Sequence, residues 1–285
     1  MKNKEIGKFL FLSYRKRSAS FVMNLYKSSL TADSKDIHRA RLDAKRLFAI
    51  LELLEIIEKG EFRFIKARKV FIPVYRQAGF LREIQVNYML LSQYERSEER
   101  FPSFSHWLLQ SEKKAIRKMV KMVHHLDHSA IATIEEEINN ICETTSTCHL
   151  NSKTRHFYRK KFQHIGNLLR SSLSMKELHQ IRKNLKAVST IATLIYPMKP
   201  EGQLEKLVSA LNRTEMVIGD WHDLTVFHAA IAEFLKKRPE MTGSSEAGEL
   251  KQLQIVIGEK MENLVQYFVP EVQQIIEMKE FRNQG

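Results

Sequence analysis

Apolar residues recur every three or four positions along most of this chain, and no stretch shows the strict alternation of a half-buried strand. The clearest case is 35–59. There Ala40, Ala44, Leu47, Leu51 and Leu54 mark a stripe on one helix face, and Gly60 ends the run. The same period predicts helices over 4–30, 61–95 and 105–127, and a short acidic helix over 129–145. It continues over 152–172, to Tyr196, over 203–237 and over 249–282. Thr31 to Ser34 offers N-cap residues for the second helix, and Ser174-x-x-Glu177 is a capping-box signature for the helix ending at Tyr196. The segments Ser97–Ser105, Pro197–Pro200 and Pro239–Gly248 read as loops. Pro73 is expected to kink the third helix, and Pro270 to interrupt the last. Thr144 to Thr147 is the expected boundary between halves of about 4–145 and 150–285. The fold class is all-α, with long antiparallel helices in two bundle-like halves.

Composition supports this. Among 285 residues there are only 10 Gly and 6 Pro, too few for a turn-rich β fold, while 43% hydrophobic residues suffice for a large core. The net charge of +13 points to a polyanionic partner: nucleic acid, anionic lipid or a phosphate polymer. That charge is concentrated. Residues 245–285 hold seven Glu against four Lys or Arg, so the remainder is more basic than the whole. Cys142 and Cys148 make no disulfide framework. The apolar run Phe9–Leu12 is too short for a signal-peptide core, and no stretch approaches a membrane span. The expectation is a soluble cytoplasmic protein with no membrane partner.

The chain also echoes itself. His38, Arg41 and Lys45 stand at offsets that His179, Arg182 and Lys186 repeat with the same residue types. Gly79-x-x-Arg82-Glu83-x-x-Val86 is answered by Gly219-x-x-His222-Asp223-x-x-Val226 at nearly the same lag. Repetition of this kind usually means one structural unit used twice. On a helical wheel each His-Arg-Lys triplet falls within roughly 60°, away from its own apolar stripe. Leu178, Ile181, Leu185 and Val188 form the stripe of the second copy. One such triplet would be an ordinary solvated face. Two at a matching lag point to one shared anion, since solvation does not require His three residues before Arg.

These side chains suit phosphate. Arg offers a planar fork to two oxygens, Lys a mobile point charge, and His a donor that gains charge when phosphate raises its pKa. Few aromatics interleave with the cations, which weighs against single-stranded nucleic acid.

At these residues the chain resembles the CHAD family, the conserved histidine α-helical domain. That family's pattern is a His-x-x-Arg helix continuing into further Arg/Lys, then a Gly-x-x-Arg-Asp segment, each recurring in a second half. The resemblance implies a single domain of two four-helix bundles, related by pseudo-twofold symmetry, around a basic surface or pore. It also implies binding of inorganic polyphosphate; from the residues themselves the expectation is no cofactor and no resident metal. Carried onto this sequence, the binding residues are His38, Arg41, Lys45, Arg46, His179, Arg182, Lys183 and Lys186. Arg82 is carried over too, with a neighbouring acid as its other candidate partner. The chain departs from the pattern at Glu83, which replaces Asp, at Ala187, which stands where Arg46 stands in the first half, and at His222, where Arg is commoner. A weaker cationic surface is therefore expected from the second half. Many members are joined to a triphosphate-processing barrel. None is seen here, so the resemblance implies no hydrolase, and the expectation is a non-enzyme.

Two other readings stay open. A nucleic-acid binder is favoured by charge alone. A metal-dependent phosphohydrolase is favoured only by histidines, chiefly His222-Asp223 and His124-His125-x-Asp127-His128. His124 and His128 are four apart and could chelate on a helix face, or could simply be a polar helix end. Cys148-His149 is an isolated pair. The partner expected is inorganic polyphosphate, together with proteins that handle it or the granules that store it.

Overall fold

The computed structural model of the chain describes residues 3–58, 63–94, 100–144, 147–196 and 202–278. Among the described residues there are nine α-helices and no strand: α1 (Asn3–Thr31), α2 (Ser34–Glu58), α3 (Phe64–Tyr94), α4 (Pro102–His124), α5 (His128–Thr144), α6 (Thr147–Leu169), α7 (Met175–Ile195), α8 (Gly202–Lys237) and α9 (Ser245–Glu277). The expected terminator Gly60, the turn at Pro197–Pro200, and Thr145 and Ser146 at the expected boundary lie outside the described residues.

The stripes behave as the sequence requires. Ala40, Ala44, Leu47, Leu51 and Leu54 on α2 are all buried, as are Leu178, Ile181, Leu185 and Val188 on α7. The box at α7 forms as read: Ser174 accepts from the Lys176 amide, and its own amide donates to the Glu177 carboxylate at 3.1 Å.

Three expectations about proline are corrected. Pro102 is not in a loop but opens α4, where its missing N–H is no loss and its fixed φ suits the first turn. Helix α9 runs through Pro270 without interruption. The segment after Pro239 is less of a loop than expected. It holds a one-turn 3-10 helix at Pro239–Met241, and Ser244 then caps α9 by accepting from the Ala247 amide.

Five described helices precede the expected boundary and four follow it, instead of the four and four implied by the resemblance. The additional helix, α5, packs along α1. At one point the two approach closely: a Cβ on Gly7 would stand 1.9 Å from the Cys142 carbonyl oxygen, so only glycine fits there. The buried apolar side chains form one continuous cluster, from Leu10 on α1 to Ile275 on α9. Helix α2 packs on α1 and α3 and also on α6 and α7, while α3 packs on α8. The four helices that carry the repeated motifs therefore meet.

Candidate functional site

Where α2, α3, α7 and α8 meet they enclose a cleft of about 220 Å³. Its walls include His38, Arg41 and Lys45 from α2, Arg82 and Glu83 from α3, Arg182 and Lys186 from α7, and Glu215, His222 and Asp223 from α8. The two triplets lie about 140 residues apart in sequence, and the fold brings them to one place. Five cations face three carboxylates, so the excess is positive but not undiluted.

Each cation is held differently. Arg41 donates a long hydrogen bond of 3.4 Å to the Tyr75 carbonyl, and its guanidinium lies 5.1 Å from the centre of the Tyr75 ring. Gly79 makes room for it. A Cβ at 79 would stand 2.2 Å from Arg41 Nη1. The first motif's glycine thus serves the first motif's arginine, one helix away. Lys186 is ion-paired with Glu215. Tyr75 and Glu215 each lie four residues before the motif glycine, so the two copies anchor a cation from the same register with different chemistry.

Burial among like charges sets the protonation. Desolvation, then Arg182, Arg41 and Lys186, push Lys45 down to about 7, with Glu215 opposing. Burial likewise lowers His38 and His179, with neighbouring cations adding to it, and takes His222 down to about 3. All three imidazoles are therefore neutral at physiological pH. Burial raises both Glu83 and Asp223, against the pull of the arginines. His222 Nδ1 and Glu215 Oε1 are buried with no hydrogen-bond partner among the described residues.

Three of the residues carried over from the motif lie elsewhere. Arg46 points toward α1 and lies 3.5 Å from Asp43, a buried carboxylate that also receives Arg17 Nη1 at 3.1 Å and Ser20 Oγ at 2.6 Å. Arg46 lines a second hollow, beside Lys16 and Arg17, that adjoins the cleft through Lys45 and Lys186. His179 does not line the cleft. Its ring packs 5.1 Å from Trp221 and 5.3 Å from His222, so it backs the wall. Lys183 is exposed and outside the lining.

The histidine run after α4 is no helix-face chelator, because α4 ends at His124 and α5 begins at His128. Between them Asp127 caps α5, accepting from Ser129 Oγ and the Ala130 amide. Among the described residues no group of three or more His, Cys, Asp or Glu side chains is placed to hold a metal. The side chains of Cys148 and His149 lie outside the described ones.

The model of the CHAD domain family matches residues 23–232, a span that contains both triplets and both glycine motifs. The chain belongs to the CHAD domain family. The fold agrees. A CHAD domain from the plant Ricinus communis superposes with a TM-score of 0.68 at 12% identity, over 93% of this chain and 91% of that one. PptA from Streptomyces chartreusis superposes with a TM-score of 0.66 at 14% identity, over 96% of this chain and 100% of that one. No curated protein matches this CHAD domain.

Gly79→Ala separates the site from the scaffold. Alanine is the better helix former by about 1 kcal/mol, so the melting temperature of the variant should hold or rise. Arg41 must move, and loss of one charge-assisted contact should lower polyanion affinity by about tenfold or more. Gly219→Ala, which lines the cleft but has nothing within 4 Å of the added carbon, displaces no anchored cation and should lower binding less. Equal effects of the two in a binding titration would refute this account of Gly79.

Proposed function

We propose that this CHAD domain binds inorganic polyphosphate through the cleft, without turning it over. The observation that carries the reading is the convergence of Arg41, Lys45, Arg82, Arg182 and Lys186, from three helices of two sequence repeats, on one half-buried space. Anchored arginines and a desolvated lysine bind a dense linear anion well, because charge–charge attraction is stronger where water is partly excluded. His38 and His222 add donors, and an approaching phosphate raises the pKa of each imidazole. Belonging to the family supports the same ligand. We further read the chain as one domain built from two helical repeats, whose role is to bring the protein to polyphosphate granules or to proteins that handle the polymer. The cytoplasm is the compartment proposed. Among the described residues no helix is long and apolar enough to cross a membrane.

The test is a competition between long-chain polyphosphate and duplex DNA at matched phosphate concentration, with salt as the second axis. Binding should weaken steeply as salt rises, since several Lys and Arg displace condensed counterions. Polyphosphate should displace DNA. Preferential binding of DNA, or affinity indifferent to ionic strength, would overturn the reading. Metal-dependent release of phosphate from the polymer would reassign the cleft as catalytic.

A further inference from the structure

A strongly basic helix, α4, takes no part in the cleft. Helix α4 presents Lys114, Lys118 and Lys121 on one exposed face, spaced by about one helical turn. Across from them α3 presents Lys69 and Arg76. Between the two rows run two shallow hollows that share Pro73 and Met122 as a common floor. Beside that floor Phe80 is 52% exposed, a large apolar side chain left facing water. Gln77 ties the helices together beneath it, donating from Nε2 to the Ala115 carbonyl at 2.9 Å, so the groove has a fixed base.

Its charge differs in kind from that of the cleft. Glu83, Glu215 and Asp223 answer the cleft cations, whereas none of these five groove cations makes an ion pair or side-chain hydrogen bond among the described residues. The one acid at its rim, Asp127, is occupied in capping α5. A merely solvated face needs no apolar floor and no second bank of charge.

We propose that the α3–α4 groove docks an acidic amphipathic helix of a partner protein. Two banks of cations with an apolar strip between them complement a helix whose apolar face lies on Pro73, Met122 and Phe80, flanked by carboxylates. Carboxylates at i, i+4 and i+7 of such a helix repeat at the pitch of Lys114, Lys118 and Lys121. Polyphosphate and duplex nucleic acid would satisfy the cations but have nothing to set on the exposed apolar strip. The charge complementarity steers the encounter, and the apolar floor fixes the register.

The experiment is a selection of helical peptides from a random display library against the whole chain without polyphosphate, with the Arg41→Ala/Arg182→Ala protein as a parallel target so that peptides drawn to the cleft are set aside. Enriched peptides should carry Glu or Asp at helical spacing beside an apolar stripe. Their affinity should fall by about tenfold or more in Lys114→Glu/Lys118→Glu/Lys121→Glu, and also fall in Phe80→Ser. All four substituted residues are exposed, and circular dichroism checks that each variant folds. Enrichment without acidic periodicity, or binding unaffected by the charge reversal, overturns the proposal. So does Phe80→Ser binding as the parent does, or tighter charge-dependent capture of duplex DNA or phosphatidylserine vesicles than of any selected peptide. Polyphosphate affinity of the parent is measured in parallel, so that failure of the cleft reading registers separately.

Discussion

Arg41→Ala combined with Arg182→Ala should lower affinity for long-chain polyphosphate by about two to four decades, the largest effect expected from any pair in the cleft. A hydrogen bond to a charged group is worth about 1.5–3 kcal/mol, and two acting independently give that range. The two arginines come from α2 and α7, so a strand of phosphates held between them contacts both repeats. Folding should survive their loss. Burial, and after it Arg41, hold the Arg182 pKa down against the pull of Asp223, so the two arginines repel each other and truncation relieves that repulsion and the cost of burial. What is lost is the contact of Arg41 with Tyr75, worth about 0.5–1 kcal/mol at a partly exposed site, and the attraction between Arg182 and Asp223. Lys251→Ala, exposed on α9 away from the cleft, is the control. Binding and thermal unfolding are measured on all three proteins. A double variant that folds and binds as the parent does would reduce the cleft to a solvated surface. One that melts early would make the arginines structural.

The second large effect is on pH. Lys45 is held near 7 by burial and by Arg182, Arg41 and Lys186. A bound polyanion favours the charged amine and raises its pKa, so above about 7 binding must take up a proton. Interior phosphates of a long chain are fully ionised throughout this range. Affinity should therefore fall as pH rises above 7, by up to about one decade per pH unit from this one group. Stability of the empty protein should move the other way. The Lys45 pKa is depressed from 10.5 in the folded state, so the unfolded chain holds more protons between about 7 and 10.5. This group's contribution to unfolding free energy then rises with pH across that window and is lost as pH falls through 7. Calorimetry in two buffers of different ionisation enthalpy counts the protons taken up. Lys45→Arg, which stays charged, should flatten the affinity profile above 7. A parent profile already flat between 7 and 9 would sink the argument.

Much of the fold was legible because helix periodicity is a local signal. The stripes on α2 and α7 are visible within one segment, and both are buried as that pattern requires. Proline was the main source of error, since a missing N–H matters only where a helix would have used it. At the first turn of α4 it would not, and within α9 the surrounding packing keeps the helix continuous. The cationic half of the site was legible through the repeat, which placed Arg41, Lys45, Arg182 and Lys186. Its acidic half was only partly so. Glu83 and Asp223 sat inside a repeated motif, but Glu215 fell outside both. Comparing the residue four before each motif glycine, Tyr75 in one copy and Glu215 in the other, would have found it. Arg46 was misplaced because Asp43, three residues earlier, faces α1 and draws it away from the cleft. That preference depends on Arg17 and Ser20, which no local pattern links to α2.

The continuous core joins the two sets of motifs. The buried side chains of α1–α5 and of α6–α9 form one cluster, so neither copy can be cut away without stripping the other of packing. Neither half therefore has to hold the cleft alone. One copy can hold its arginine with an aromatic ring and keep a full set of cations. The other can exchange an arginine for His222 and a tyrosine for Glu215, turning part of its surface from attraction to restraint. The two motif sets thus hold the cleft by different chemistry within a single cooperative body.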